Sequence, residues 1–191
     1  MRRPAKLSLL TILLLISSAG VLAQQPKCAL ALGQAPELGG LRLGMTEAQV
    51  RARFKVIETE DADDYGISSL RLEPAASNVT ETATIKDISL ELIGERVVSI
   101  QLVYKPSASA VSYREFTERV SQTLKLPAAW KPTTVGSMVT GEMLECAGFK
   151  ISARLIGARI PVIYLSALEA EPTLSRRQAE KEKRLRDFFK Q

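Results

Sequence analysis

The sequence predicts an α+β fold: tandem αβββ units building an antiparallel sheet with helices on one face, followed by a charged C-terminal helix. Three observations predict it. Two capping boxes, Thr46-Glu47-Ala48-Gln49 and Ser112-Tyr113-Arg114-Glu115, each open an amphipathic helix. After each comes a run of alternating apolar and polar residues broken by turn signals, as half-buried strands require. The caps therefore head two segments of the same layout, residues 24–105 and 106–172. A third capping box, Ser175-Arg176-Arg177-Gln178, opens the charged segment 173–191.

In the first unit Met45 and Val50 flank the cap as a hydrophobic staple, and Val50, Phe54 and Ile57 recur at i, i+4, i+7 as one apolar stripe. Ile67 to Leu72 is a short strand. Residues 84–93 and 97–104 form a hairpin in which Ile88, Leu90 and Leu92 share a face with Val98, Ile100, Leu102 and Tyr104. Both apolar sets fall on even numbers, so paired residues must have an even sum, and a three-residue loop around Gly94 meets that condition. Glu73 to Thr82 reads as a loop and carries the glycosylation sequon Asn78-Val79-Thr80. In the second unit Phe116, Val120 and Leu124 make the helical stripe. Leu126 to Val135, with Trp130 and two prolines, reads as a connection, and residues 137–146, 149–156 and 161–168 as three strands. Phe54 and Val120 are both expected to be buried against the sheet.

The N-terminus has its own grammar. Arg2, Arg3 and Lys6 precede an apolar run from Leu7 to Leu22, and Val21-Leu22-Ala23 offers small residues at a cleavage site. Residues 1–23 are thus a secretory signal peptide, too short in their apolar run for a spanning helix, and the mature chain is expected to be exported, periplasmic or secreted. In that compartment Cys28 and Cys146, the two cysteines of the chain, are expected to form a disulfide. Closing so long a loop stabilises the fold by about 4–5 kcal/mol in the chain-entropy model. Gln24-Gln25-Pro26-Lys27 ahead of Cys28 lacks the small and apolar residues of a lipid-attachment box.

Charge and composition narrow the function. The chain carries a formal +5, but three of its basic residues lie in the signal, which leaves the mature chain nearly neutral and gives no footprint for nucleic acid. The absence of histidine removes Ser-His-Asp and Cys-His catalysis and histidine-ligated metal sites. No Ser-x-x-Lys dyad or nucleophile elbow is present. The acidic run Glu58 to Asp64 begins like a calcium loop at Asp61 and Asp63, but Tyr65 and Leu72 stand where a ligand and a bidentate glutamate belong. No metal or other cofactor is expected; Asp61 and Asp63 are the positions a cation would use.

The stretch Gly40-Leu41-Arg42-Leu43-Gly44-Met45-Thr46-Glu47-Ala48-Gln49-Val50 resembles the helix entrance of small exported bacterial envelope proteins. These include the BamE-type (SmpA/OmlA-type) outer-membrane assembly lipoproteins and the β-lactamase-inhibitor-protein (BLIP) fold. The resemblance implies short helical units packed on an antiparallel sheet, in tandem in the inhibitor fold. It rests on Gly44, Met45, Thr46 and Val50, which serve the fold. No inhibitory loop aligns, so β-lactamase inhibition is not implied.

The expected function is therefore a non-catalytic module that binds another envelope or secreted protein, in envelope assembly or as an inhibitor. The polar sheet face, with Ser89, Glu91, Ser99 and Gln101 in one unit and Lys150, Ser152 and Arg154 in the other, is the candidate binding surface. Swaps at Ser99 or Lys150 are expected to cost little stability. Arg176, Arg177, Lys183 and Arg184 are candidate contacts of the tail with a partner or an anionic membrane surface. Two alternatives stand beside this: a hydrolase using paired carboxylates, and a peripheral envelope protein held to anionic membrane through the basic C-terminal helix.

Overall fold

The computed structural model describes residues 28–74, 84–106, 112–135, 138–157 and 159–190. The expected signal segment 1–23 and the sequon at Asn78 lie outside them. The fold is α+β, an eight-stranded antiparallel sheet with three helices.

Both helix starts form as their chemistry dictates. The Gln49 amide donates to Thr46 Oγ1 at 3.2 Å while the Thr46 amide donates to Gln49 Oε1 at 2.9 Å, opening α1 (Glu47–Arg53). Ser112 and Glu115 repeat the exchange at 3.2 and 3.0 Å to open α2 (Tyr113–Leu124). α1 is shorter than its stripe implies. It stops at Arg53, Phe54 turns extended, and Ile57 falls in a strand at 53% exposure. The β-branched pair Val56-Ile57 favours strand over a third helical turn.

Each half is a helix followed by four strands, one more than expected. β1 (Val56–Glu60), β2 (Ile67–Leu72), β3 (Ile85–Ile93) and β4 (Arg96–Tyr104) follow α1; β5 (Lys131–Val135), β6 (Met138–Glu145), β7 (Phe149–Ile156) and β8 (Ile160–Ala167) follow α2. The sheet order is β1-β2-β3-β4-β8-β7-β6-β5, so two meanders meet through the last strand of each. Ile100 pairs with Leu165 and Leu102 with Ile163 across that seam.

The β3–β4 hairpin keeps the expected even-sum register, with Ile88 opposite Leu102 and Leu90 opposite Ile100, but reaches it differently. The turn is the two-residue pair Gly94-Glu95, both at positive φ (55° and 62°), and a bulge at Val98 restores the register; contrary to expectation, Val98 leaves the face of Ile100 and Leu102 for the smaller cluster around Leu174, and Val97 takes a core position. Gly94 suits the first of those positions because it has no Cβ to clash there.

α1 and α2 cover one sheet face. Val50, Phe54 and Val120 join Leu90, Ile100, Leu102, Ile151 and Leu165 in the main core; Phe54 and Val120 are each 5% exposed. The N-terminal segment closes one side of this core. Cys28 and Cys146 lie at disulfide distance, with Cα atoms 4.4 Å apart. The Gly148 amide donates to Leu30 O at 3.1 Å. A Cβ on Gly148 would overlap the Leu32 backbone, so only glycine lets the segment lie so close.

The C-terminal helix lies on the other face. α3 (Glu171–Phe188) follows a short turn at Leu168–Ala170 and carries Pro172 in its first turn. It starts earlier than expected, so Ser175 sits inside the helix and does not cap it. Leu174 packs with Ile67, Val98, Ala167 and Ala170 in a second, smaller cluster that seats the helix.

Candidate functional site

Register gathers the polar positions. With Leu90 and Ile100 turned to the core, their neighbours Glu91 and Ser99 face the other way as cross-strand partners, and Ser89 pairs with Gln101. The seam places Tyr164 beside Gln101 and Ser166 beside Ser99, and β7 adds Ser152 and Lys150 next to them. All seven expected face residues, Ser89, Glu91, Ser99, Gln101, Lys150, Ser152 and Arg154, line one groove of about 920 Å³. Its floor is the sheet, and α3 contributes Arg177, Gln178, Lys181 and Glu182.

What holds α3 over this floor is ionic. Arg177, with its side chain 8% exposed, donates from Nε to Asp63 and from Nη1 to Glu91 Oε1 at 2.7 Å, and Nη2 lies 3.9 Å from Glu60. One helical turn and a half earlier, Glu171 accepts from Lys150 Nζ and from Ser166 Oγ. The partner Asp63 is itself pre-organised. Its Oδ1 accepts from the amides of Tyr65 (3.0 Å) and Ile67 (3.2 Å). Burial raises the Asp63 pKa, but these two amides and the Arg177 guanidinium outweigh it and hold the carboxyl below its ordinary value. Burial pushes the Tyr164 phenol up to about 12, with Glu91 and Glu171 acting in the same direction and Ser99 against. Tyr164 is therefore a neutral hydrogen-bonding group at physiological pH.

Several expectations change in this light. Ser99 (1% exposed) and Ser152 (2%) are buried rather than presented to solvent, and Lys150 is consumed by Glu171. Because the sheet face is roofed there, swaps at Ser99 or Lys150 should act on stability as well as on binding. Arg177, expected as a tail contact, is a buried anchor and offers nothing to a membrane. Arg176, Lys183 and Arg184 are exposed, Arg184 lying 3.5 Å from Glu180. Asp61 is exposed, whereas both Asp63 oxygens are committed, Oδ1 to the loop and Oδ2 to Arg177. Among the described residues no group of three potential metal ligands converges.

Among the described residues, two polar groups of this face lack partners, one buried and one exposed. Ser152 Oγ has no hydrogen-bond partner among the described residues. Arg154 is exposed and has no ion-pair partner among them. Most other charges of the groove are paired, Glu58 with Arg71, Glu91 with Arg177 and Lys150 with Glu171. Sequence reasoning missed Tyr164 and Glu171, and it read Asp63 as a position for a cation where the structure makes it a partner of Arg177. Tyr164 was recoverable, because it alternates with Ile163 and Leu165 on the polar side of its strand. No protein-family model, curated protein or solved structure matches this chain.

Proposed function

We propose that this chain is an exported, non-catalytic binding protein that receives a segment of another envelope or secreted polypeptide in the groove between α3 and the polar sheet face. One observation carries the proposal: a wide groove, lined by polar side chains, whose exposed Arg154 guanidinium has no ion-pair partner among the described residues. An acidic side chain of the bound segment pairs with Arg154, and Gln101 and Tyr164 offer neutral hydrogen-bonding groups nearby. The carboxylates Glu91 and Glu171 are held by Arg177 and Lys150, which suits a scaffold better than acid–base chemistry. Export is supported by the N-terminal sequence and by the cysteines at disulfide distance. The resemblance of the Gly44-Met45-Thr46 entrance to envelope proteins agrees with it.

The test is site-specific photo-crosslinking in envelope extract. A crosslinker replacing Gln178 at the groove rim should trap one defined polypeptide, and Arg154→Glu should abolish the adduct. A crosslinker replacing Glu118, exposed on α2, should trap none. Equal adducts from both positions, or an adduct indifferent to Arg154→Glu, would remove the groove from consideration.

A further inference from the structure

α3 is longer than the surface it rests on. Leu174 and Arg177 anchor it, yet every residue from Lys181 to Lys190 is exposed. Within that overhang lie three large apolar side chains: Leu185 at 64% exposure, Phe188 at 73% and Phe189 at 77%. They are spaced i, i+3, i+4 and so share one helix face. The two rings pack edge to face with centroids 5.6 Å apart, forming a single apolar knob. At 3.6 residues per turn Arg184 and Arg186 fall about 100° to either side of Leu185, and Asp187 about 160° away, on the far side. Between Lys181 and Lys190 five basic residues stand against the two acids Glu182 and Asp187. An apolar face bordered by arginines whose long stems reach outward is the arrangement of a helix lying in a lipid interface.

We infer that the distal end of α3 docks on an anionic phospholipid surface, with Phe188 and Phe189 inserted at the acyl boundary and Arg184 and Arg186 at the headgroups. The charge complementarity selects this occupant: a second copy would bring the same excess of positive charge against itself. The docking surface is separate from the groove, whose anchors lie in the first two turns of the helix. A bound bilayer would hold the protein at a membrane while leaving the sheet face open.

The experiment uses the processed exported protein and vesicles of equimolar phosphatidylcholine and phosphatidylserine, compared with phosphatidylcholine alone. Partition is expected to favour the anionic vesicles at least ~tenfold and to weaken with salt. Phe188→Ala with Phe189→Ala should lose at least ~tenfold, and Arg184→Gln with Arg186→Gln about as much. Phe189→Trp reads the insertion directly, through a blue shift and quenching by brominated lipid beyond those of Trp130 in the parent. Equal partition of the alanine variant and parent, or no shift of the new tryptophan, would overturn the inference. So would a dimer without vesicles that the alanine variant dissolves, which would assign the knob to a second copy.

Discussion

Replacing Arg177 by alanine should detach α3 from the sheet. The guanidinium touches Asp63 and lies 2.7 Å from Glu91 and 3.9 Å from Glu60. Removing one partner of a fully buried ion pair costs about 3–5 kcal/mol, chiefly because the remaining charge is stranded. Here Asp63 and Glu91 keep 30% and 27% of their side chains in contact with solvent, so water recovers part of that cost. Glu60, at 61% exposure, contributes little. A loss of about 2–4 kcal/mol remains. It should fall first on the helix, since among the described residues of the smaller apolar cluster α3 contributes Leu174 alone. Amide hydrogen exchange of α3 is the assay, and its protection should drop roughly 30- to 1,000-fold while the strands keep theirs. Arg177→Lys should fall between, keeping the charge but losing the fork. The reasoning fails if Arg177→Ala leaves α3 protection unchanged and unfolds at the parent's denaturant midpoint. The same anchor sets a pH dependence. The Asp63 carboxyl is depressed below its unfolded value, so its contribution is fully present above that value and is lost as pH falls through the lower, folded one. Protection of α3 should therefore begin to weaken near 3.8, and Asp63→Asn should flatten that dependence.

The core and the cysteine pair make further predictions. Phe54→Ala should cost about 3–5 kcal/mol in chemical denaturation and Val120→Ala less, since both are buried but differ in volume. Thiol alkylation of the native protein, purified without reductant, should modify neither cysteine, and Cys28→Ala with Cys146→Ala should lower stability by about 5 kcal/mol for a separation of 118 residues. Ser152→Ala should be neutral or slightly stabilising, by up to about 1 kcal/mol, because it removes a buried hydroxyl with no partner among the described residues. Gly148→Ala should destabilise through the overlap with Leu32, seen as loss of exchange protection at the N-terminal segment.

The helix caps and the strand Ile67–Leu72 were legible because capping chemistry is local and half-buried strands alternate. The two missed strands share a physical reason. β1 and β5 are the edges of the sheet, where one side of the ladder meets solvent and burial imposes little pattern. β1 is exposed along nearly its whole length and carries Glu58 and Glu60; β5 carries Pro132, which an edge strand tolerates. Charges and a proline that protect an edge read, in sequence, as loop. The hairpin teaches a similar lesson. Alternation fixed the face of each strand, yet a bulge at Val98 met the same parity condition as the odd loop. The candidate face was legible as a set, since all seven residues meet in one groove. Its roof was not. Arg177 looks like any tail cation, and its partners lie 86 and 114 residues away, a pairing that no local pattern encodes.

The central claim, that the groove under α3 receives a polypeptide, is tested most directly by a hydrogen-exchange footprint of the complex with the polypeptide trapped at Gln178. Added protection is expected in β4, β7, β8 and α3, with little change in α1 and α2 and loss of the footprint in Arg154→Glu. Protection centred on α1 and α2 or along the edge strands β1 and β5, with the groove unchanged, would contradict it.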